Sequence, residues 1–461
     1  MRSYLLSHAV TVIGVLASFV MLARIKGARR TSQSTIAWML GFVFVPFATI
    51  PLFLLLGSRK FPARAKGPAA KSERWTQGEM DRAPKTSRVL ADAGVAPPRV
   101  GQSFELLADG ERAFDALIEL LRGAKKSIDL TMFILGRDDT GRAVIDALAE
   151  RAAGGVRVRV ILDAVGCART FSIARDAIEP KGEVRAFMPL GHSPIRGRTN
   201  LRSHRKLAVI DREIVFGGGM NLADEYMGRG PRKNGEPRWR DVSAIVRGSI
   251  AYDAEAMFES DWAFAGGKAS GAARPREEEI GARGDEVAQL VPSGPDFATD
   301  TVYDLFWSVI GEARTRVAIV TPYYVPDDAL QHALVLAARR GVRAELVVPS
   351  VSNHAVADVA RRDLIRELVA SGVIVHYYPH GMVHAKAMIV DDAFAYVGSP
   401  NFDMRSLQLN YEDAIALYSP RAIADVRAFV DALIAESTRE GPRVRERTTI
   451  EQLARFLSPE L

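Results

Sequence analysis

The sequence predicts an α/β protein in which two similar domains, each a mixed β-sheet flanked by helices, follow a pair of transmembrane helices. Three observations predict this fold. The chain of 461 residues begins with two long apolar stretches. Two later regions repeat the same order of strand, helix and strand. One short polar pattern occurs once in each of those regions, at an offset of 180 residues (384 minus 204).

The apolar stretches near the N-terminus predict a membrane hairpin over residues 1–58. Residues 4–23 contain no charged side chain and are long enough to span a bilayer as a helix. Residues 35–56 form a second such stretch, in which Pro46 and Pro51 should produce a kink that membrane helices tolerate. A signal peptide is a poor alternative, because no cleavage pattern follows the first stretch and a second span comes at once. Basic residues flank both sides, so the orientation stays open.

Two segments rich in small and charged residues divide the rest of the chain, and we expect linkers at 59–101 and 266–286. The two domains would then comprise residues 102–265 and 287–461. Each contains a β-α-β pattern that predicts a mixed sheet with helices on both faces. The first pattern consists of a strand at 127–135, a helix at 139–153 and a strand at 157–162. The second consists of a strand at 316–325, a helix at 327–340 and a strand at 343–348.

The composition limits the classes of partner. A net charge of +6 and a pI near 9.4 suit an anionic partner, which could be phospholipid headgroups, nucleic acid or phosphorylated metabolites. The apolar stretches favour anionic membrane lipid over nucleic acid. Cys167 is the single cysteine, which excludes an internal disulfide and a cysteine metal cluster. It follows an apolar run, and we expect it to pack in the core.

A repeated pattern, H-x-K-x4-D, is the strongest indication of chemistry. Lysine and aspartate seldom both occur at fixed offsets from a histidine, and the chain has only eight histidines. Each copy continues into a glycine turn and an asparagine. The first copy comprises His204, Lys206, Asp211 and Asn221, and the second comprises His384, Lys386, Asp391, Ser399 and Asn401.

Each copy should lie on a β-hairpin. The alternation of side chains along a strand places His204 and Lys206 on one face, where both could contact one phosphate group of a ligand. Asp211 and Asp391 complete the catalytic pattern, but each falls at a hairpin turn. An aspartate there commonly accepts hydrogen bonds from backbone amides, so we expect a structural role for both rather than direct catalysis.

One acidic residue follows each copy of the pattern. Asp241 lies 20 residues after Asn221, and Glu412 lies 11 residues after Asn401. The difference of nine equals a Pro/Gly-rich insertion at 229–237. Removing the insertion aligns the two carboxylates, each at the start of an apolar strand. We expect them, one in each half, to belong to the same unit as the histidine of that half and to bind the second ring nitrogen of the nucleophilic histidine, unless they are only surface carboxylates at a strand start.

These residues suit the exchange of a phosphodiester without a metal ion or cofactor. One histidine can attack phosphorus, while the other protonates the leaving oxygen and then deprotonates the incoming alcohol. The two lysines can stabilise charge on the phosphoryl oxygens. The two asparagines and the hydroxyl of Ser399 can donate hydrogen bonds there, whereas Gly219, which corresponds to Ser399, has no side chain to do so.

The motifs resemble the phospholipase D superfamily, and within it the bacterial cardiolipin synthases. The similar segments are RSHRKLAVID at 202–211, the following GGGMNLADEYMG, WRD at 239–241, TPYYVPDD at 321–328, the segment 384–412 and the C-terminal LARFLSPEL. The resemblance implies two phospholipase D-like domains behind a membrane hairpin. It also implies a multi-pass protein of the bacterial inner membrane.

The resemblance further implies that two phosphatidylglycerol molecules give cardiolipin and glycerol through a phosphatidyl-histidine intermediate. The near symmetry of the motifs leaves open which histidine attacks, and we favour His204. A phospholipase D hydrolase, or a transferase that uses another headgroup alcohol, would need the same residues. The membrane hairpin argues against a nuclease, and the two intact motifs argue against an inactive scaffold. The sequence leaves the oligomeric state open.

Overall fold

A computed structural model describes residues 32–56, 75–189, 201–230, 235–268 and 280–442. The first predicted membrane span, residues 4–23, lies outside these ranges. The second predicted span contains two helices, α1 (Ser32–Phe44) and α2 (Pro46–Leu56). Proline at the first position of α2 separates them, because it lacks an N–H group and restricts the residue before it.

The helices α1 and α2 pack against each other through aromatic side chains. The ring of Phe53 lies 5.0 Å from that of Trp38 and 5.2 Å from that of Phe42, measured between centroids. In the part of the chain that the structure describes, no helix combines the length and the apolar character needed to cross a bilayer.

Between residues 77 and 264, the described part of the first half forms seven strands and six α-helices. Its strands are β1 (Arg99–Leu107), β2 (Ser127–Met132), β3 (Arg157–Asp163), β4 (Glu183–Phe187), β5 (Leu207–Ile210), β6 (Ile214–Gly218) and β7 (Ser243–Arg247). A short helix α3 (Gln77–Arg82) precedes them, and the helices among and after them are α4 (Gly110–Gly123), α5 (Asp139–Ala153), α6 (Phe171–Ile178), α7 (Asp224–Met227) and α8 (Ile250–Phe264).

The second half repeats this order of elements. Its strands are β8 (Glu286–Ser293), β9 (Arg316–Val320), β10 (Tyr324–Val325), β11 (Arg343–Pro349), β12 (Ile374–Tyr378), β13 (Ala387–Val390), β14 (Phe394–Gly398), β15 (Phe402–Asp403) and β16 (Glu412–Leu417). Its helices are α9 (Thr301–Glu312), α10 (Asp328–Arg339), α11 (Ala355–Ala370), α12 (Met404–Gln408) and α13 (Pro420–Ala435).

Fourteen strands form one sheet with approximate twofold symmetry about its centre. The strand order is β12-β11-β9-β13-β14-β16-β8-β1-β7-β6-β5-β2-β3-β4. Reading outward from the central β8–β1 pair, both halves have the same order of equivalent strands. The three outermost strands of each half are parallel and the others are antiparallel. The predicted mixed sheets with flanking helices are therefore confirmed.

Side-chain alternation on β5 and β13 is as predicted, but both strands begin later than the sequence suggests. Ala208 and Ile210 pack in one apolar cluster, and Leu207 and Val209 pack in another that both halves share. His204 and Lys206 precede β5 instead of lying on it. Their segment bonds to the opposite half of the protein, so it is not available to extend the hairpin ladder.

Part of the predicted first linker packs against the second half. From Trp75 onward the chain is described, and Trp75, Leu90 and Val95 are buried in the apolar cluster of that half. The indole N–H of Trp75 donates to the carbonyl of Val95 at 2.8 Å. Strand β1 already begins at Arg99, inside the predicted linker, and it pairs with both β7 and β8.

The aspartates of the repeated pattern hold the hairpin turns to the sheet. Asp211 accepts hydrogen bonds from the backbone N–H groups of Lys125, Lys126 and Ser127, at the start of β2. Asp391 accepts the equivalent bonds from residues 314–316, and these bonds hold its pKa below the usual value although partial burial opposes them. Both aspartates have positive φ angles, 52° and 50°.

We expect Asp391→Ala to destabilise the fold by about 1–2 kcal/mol, because it leaves several backbone amides without their acceptor. Urea unfolding followed by circular dichroism measures this change. Asp392→Ala is the matched control, since the neighbouring Asp392 side chain is 88% exposed and forms a surface ion pair with Arg427. Equal stability of the two variants would contradict the structural role of Asp391.

Candidate active site

The two histidines of the repeated pattern meet at the boundary between the halves, and each binds a carboxylate from the opposite half. Nδ1 of His204 lies 2.9 Å from Oε2 of Glu412, and Nδ1 of His384 lies 2.6 Å from Oδ2 of Asp241. All four side chains are buried. A ring N–H donated to a carboxylate leaves Nε2 of the neutral ring as the free, nucleophilic nitrogen.

Backbone hydrogen bonds impose this crossed arrangement. The N–H of His204 donates to the carbonyl of Tyr411 at 2.8 Å, directly before Glu412. The N–H of His384 donates to the carbonyl of Arg240 at 2.7 Å, directly before Asp241. The two segments thus exchange partners across the boundary, and each half supplies one histidine and the carboxylate for the other histidine.

The two lysines contact their own histidines. Nζ of Lys206 donates to the carbonyl of His204 at 2.7 Å. Nζ of Lys386 donates to the carbonyl of His384 and also lies close to the ring, 2.5 Å from Nδ1 and 3.2 Å from Nε2. Among the described residues, Nε2 of His204 has no hydrogen-bond partner. Since both ammonium groups are nearly inaccessible to water, they supply positive charge where an anionic phosphate would bind.

Burial and mutual charge set the protonation states of the site. Burial lowers the pKa of His204 to about 4, with the nearby lysines adding to the effect and Glu412 opposing it. Burial and the Lys386 ammonium lower the pKa of His384 to about 3. Burial also lowers the pKa of both lysines. Both rings are therefore neutral near neutral pH in the absence of a bound anion.

The two carboxylates stay ionised in spite of their burial. Burial raises the pKa of Asp241, but Lys386 and His384 outweigh it, and the net pKa is below the usual value. In the same way, His204 and Lys206 overcome the effect of burial on Glu412 and lower its pKa. Two ionised carboxylates thus lie near two lysines, whose pKa burial lowers to about 7 for Lys206 and about 8 for Lys386.

Ser399 does not have the place that the sequence suggested. Its hydroxyl donates to Oε2 of Glu412 at 2.5 Å and accepts from the N–H of Asp413 at 2.9 Å. The hydroxyl is therefore committed to holding the carboxylate that binds His204, and it is not available to a phosphoryl oxygen. The sequence suggested a contact of this hydroxyl with the phosphate, and in the structure strand β16 instead brings Glu412 within its reach.

Gly219, the counterpart of Ser399, makes room for the other carboxylate. A Cβ atom on Gly219 would lie 2.1 Å from Oδ1 of Asp241. That oxygen accepts from the N–H of Val242 at 2.7 Å, which fixes the carboxylate against the glycine. Glycine at this position thus allows Asp241 to reach His384, and any side chain here would displace it.

The two asparagines differ in their contacts. Oδ1 of Asn221 accepts from the N–H of Ile134 at 3.2 Å, and its side chain also hydrogen-bonds Tyr226. Oδ1 of Asn401 is buried and has no hydrogen-bond partner within the described ranges. Asn401 is therefore better placed than Asn221 to bind a ligand directly, whereas Asn221 also fixes neighbouring groups.

Aromatic side chains surround the histidines unequally. His384 contacts Tyr226 at 5.0 Å, Trp239 at 5.4 Å in a stacked geometry and Tyr323 at 6.5 Å, measured between ring centroids. His204 contacts Phe133 at 4.9 Å. Tyr323, Tyr226 and Trp239 lie in the segments TPYYVPDD, GGGMNLADEYMG and WRD, whereas Phe133 lies outside the motifs and the sequence analysis missed it. The aromatic groups around His384 would stabilise its protonated form through cation–π attraction.

Arg205 is a further buried residue of the site that the sequence analysis missed. It donates to Asp261 in its own half and to the carbonyls of Glu412 and Ser293 in the other half. Its side chain is only 1% exposed. Arg205 therefore fixes the segment that carries Glu412. Its position in the sequence, between the motif residues His204 and Lys206, could have indicated that it lies at the site.

Asp211 and Asp391 lie away from this centre. Seven residues separate Asp211 from His204, about 20 Å along an extended chain. Both aspartates complete the repeated pattern, but their side chains accept from backbone amides at the hairpin turns. Across the described ranges, no group of three or more His, Cys, Asp or Glu side chains is arranged to hold a metal ion.

Comparisons with known proteins agree with the twofold architecture. Residues 117–262 and 306–434 match the family described as "Cardiolipin synthase, PLD-like domain". The two matched segments lie one in each half of the sheet. They include the histidine, lysine and acidic residue of both site halves.

The chain also resembles curated proteins over most of its length. It is 33% identical over 401 residues to cardiolipin synthase A of Pseudomonas syringae pv. syringae, covering 83% of this chain and 82% of that protein. It is 30% identical over 483 residues to the cardiolipin synthase of Listeria welshimeri, covering 99% of each.

A solved structure shows the same fold. The phosphatidylserine synthase of Haemophilus influenzae aligns with a TM-score of 0.63 at 16% identity, over 82% of this chain and all of that one. The family match in both halves and the two long relatives at 30% and 33% identity lead to one conclusion. The chain belongs to the cardiolipin synthase family of phospholipase D-like proteins.

Proposed function

We propose that this protein is a cardiolipin synthase that transfers a phosphatidyl group between two phosphatidylglycerol molecules and releases glycerol. The observation that carries the proposal is the crossed site, in which two neutral histidines, each bound to a carboxylate, stand beside two buried lysines. This arrangement supports a two-step exchange at phosphorus. The names of the family relatives support the lipid substrate.

The first step forms a phosphatidyl-histidine. Nε2 of His204 attacks phosphorus, the bond from phosphorus to the glycerol oxygen breaks, and protonated His384 gives its proton to that oxygen. The phosphate charge favours the protonated ring, since a nearby opposite charge raises the pKa of a histidine. Lys206 and Lys386 stabilise the charge that develops on the other phosphoryl oxygens.

The second step regenerates the enzyme. Neutral His384 takes the proton from a hydroxyl of the second phosphatidylglycerol, whose oxygen attacks phosphorus and displaces His204. Cardiolipin forms, and His384 is protonated for the next cycle. Glu412 stabilises the positive charge on His204 that accompanies the covalent intermediate, as the carboxylate does in a catalytic triad.

The unequal surroundings of the rings support His204 as the nucleophile. Its Nε2 has no hydrogen-bond partner in the described part of the chain, so its lone pair is available to phosphorus. Nε2 of His384 lies 3.2 Å from the Lys386 ammonium, and aromatic rings surround it. The ammonium contact makes this lone pair less available to phosphorus. The aromatic rings suit a ring that carries a proton once the phosphate offsets the charge of Lys386.

We also propose that the N-terminal region is a membrane hairpin and that the protein is a multi-pass protein of the bacterial inner membrane. The apolar sequence of residues 4–23 and 35–56 supports this. The exposed side chains of Val43, Phe44 and Phe47, at 64%, 76% and 59%, would gain an apolar environment from lipid. The domain boundaries proposed from the sequence place the hairpin before residue 59.

The function is tested with the purified full-length protein in phosphatidylglycerol vesicles, with products measured by mass spectrometry. We expect cardiolipin and glycerol in equal amounts. His204→Ala and His384→Ala should each lower the rate by about 10⁴-fold or more, because groups that act as one catalytic unit fail together. Phosphatidic acid in place of cardiolipin would instead indicate the hydrolase. A phospholipid that carries a different added alcohol, formed instead of cardiolipin, would indicate that this alcohol is the acceptor.

The nucleophile is tested by acid-free quenching of the wild-type reaction during turnover, followed by peptide mass spectrometry. The phosphatidyl mass should appear on the peptide that contains His204. Its appearance on the peptide that contains His384 would reverse the two roles. The Lys386→Ala variant gives a second measurement, because slower proton transfer should change the amount of intermediate without moving it to another residue.

Gly219→Ala tests whether Asp241 must reach His384. The added methyl group would displace the carboxylate, and we expect turnover to fall by at least about 100-fold, since loss of an orienting carboxylate costs up to about 10⁴-fold in a triad. Gly217→Ala is the matched control, because a Cβ there lies 3.6 Å or more from its neighbours. Equal activity of the two variants would contradict the role of Asp241, provided that both unfold at the wild-type temperature.

A further inference from the structure

Two exposed valines occupy equivalent places in the two halves. Val165 lies eight residues after the first residue of β3 (165 minus 157), and Val351 lies eight residues after the first residue of β11 (351 minus 343). Their side chains are 48% and 68% exposed. Each follows the C-terminal end of a parallel strand, β3 or β11. Strands β3 and β11 pair with β2 and β9, respectively.

The loops that expose these valines are fixed. Oδ1 of Asp163 accepts from the N–H of Val165 at 2.9 Å and from that of Gly166 at 3.0 Å. In the other half, the buried guanidinium of Arg361 donates to the carbonyls of Pro349 and Ser350 at 2.8 and 3.2 Å. These hydrogen bonds keep the loops in place, so the two valine side chains stay exposed to water. Exposure of an apolar side chain to water is unfavourable, and an apolar partner would relieve it.

Both loops connect directly to the catalytic cleft. The other oxygen of Asp163 accepts from the N–H of Ser203 at 3.1 Å, one residue before His204. In the second half, the hydroxyl of Tyr323 donates to Oδ1 of Asn353 at 2.6 Å, and the Tyr323 ring also contacts His384. Each histidine therefore has one of the exposed valine loops beside its segment.

The first turns of the following helices extend the two exposed sites. Ile173 in α6 is 44% exposed, and Val356 in α11 is 43% exposed. We call Val165, Ile173, Val351 and Val356 the rim. Its four members lie in the same two loop-to-helix connections of the repeated fold, on both sides of the cleft.

We propose that the rim inserts into the surface of the phospholipid bilayer and places the cleft over the headgroups. This inference rests on the proposed function, because a phospholipid with two acyl chains stays in the bilayer while its phosphodiester must reach His204. Insertion of a few apolar side chains at the boundary of headgroups and acyl chains is a known mode of interfacial binding. The exposed Arg169 near Val165 adds positive charge that suits anionic phosphatidylglycerol.

The tether to the membrane permits this placement. Eighteen residues, 57–74, separate the second apolar stretch from Trp75. A chain of that length spans at most about 60 Å, so the catalytic region stays near the bilayer that holds the hairpin. The bilayer is therefore present at high effective concentration, and a small apolar rim suffices to orient the cleft.

Insertion is measured directly with a fluorescent label on Val165→Cys or Val351→Cys in phosphatidylglycerol proteoliposomes that contain quencher-bearing lipids. Cys167 does not compete for the label, because it is buried and burial raises its pKa to about 12. We expect strong quenching at both rim positions. Val369→Cys is the matched control, since Val369 is 56% exposed near the C-terminal end of α11, while Val356 lies near its start.

Activity gives an independent measurement. Val165→Asp with Val351→Asp should lower the rate on vesicle phosphatidylglycerol by about tenfold, from the loss of two apolar contacts. The rate on a short-chain, monomeric phosphatidylglycerol should stay within about twofold, because that substrate needs no bilayer. Val369→Asp should leave both rates unchanged.

Each outcome decides one proposal. Absence of quenching at Val165→Cys and Val351→Cys, or full vesicle activity of the double aspartate variant, would overturn the role of the rim. Quenching between rim labels in detergent without lipid would assign the rim to contact with a second copy and would also overturn it. Failure of the wild type to form cardiolipin from either substrate would overturn the proposed function, and the quenching result would still decide whether the rim meets the bilayer.

Discussion

The exchange of carboxylates between the halves is the constraint on which the rest of the site depends. Glu412 binds His204 and Asp241 binds His384, and backbone bonds from Tyr411 and Arg240 hold the two histidine segments in place. Neither half contains a histidine with its carboxylate. Separation of the halves would leave these two histidines and two carboxylates without their partners. The site therefore forms only when the two halves are joined in one sheet.

Opposite charges lower the free-energy cost of burying this site, and the two lysines allow it to bind an anion. Two carboxylates lower the cost of burying Lys206 and Lys386, while the low pKa of both rings keeps the histidines neutral. An arriving phosphate adds one negative charge beside two ammonium groups. That charge also favours a proton on one ring, so the substrate itself helps to create the acid that its leaving group needs.

The approximate symmetry ends at the side chains that support the histidines. Ser399 donates to Glu412, whereas Gly219 leaves space for Asp241. Aromatic rings enclose His384 more fully than His204. A duplicated fold can thus give two similar histidines different tasks, because small differences around equivalent residues decide which nitrogen is open and which is close to a proton donor. The rim residues, in contrast, lie at equivalent places in both halves. This symmetry fits the proposed insertion, because a planar membrane surface would contact both loops at the same depth.

The sequence by itself determined the duplicated α/β fold, the paired histidines and lysines, and the two acidic residues brought into register by the insertion at 229–237. Local periodicity and spacing carry that information. Only the tertiary structure decided that Asp241 serves the histidine of the other half, that Ser399 holds Glu412 rather than phosphate, and that Arg205 bridges the boundary. The contacts of Arg205 and of the two histidines join residues between 56 and 208 positions apart, and Ser399 lies 13 positions from Glu412. They depend on how β7 and β16 are placed in the sheet, which no local pattern encodes.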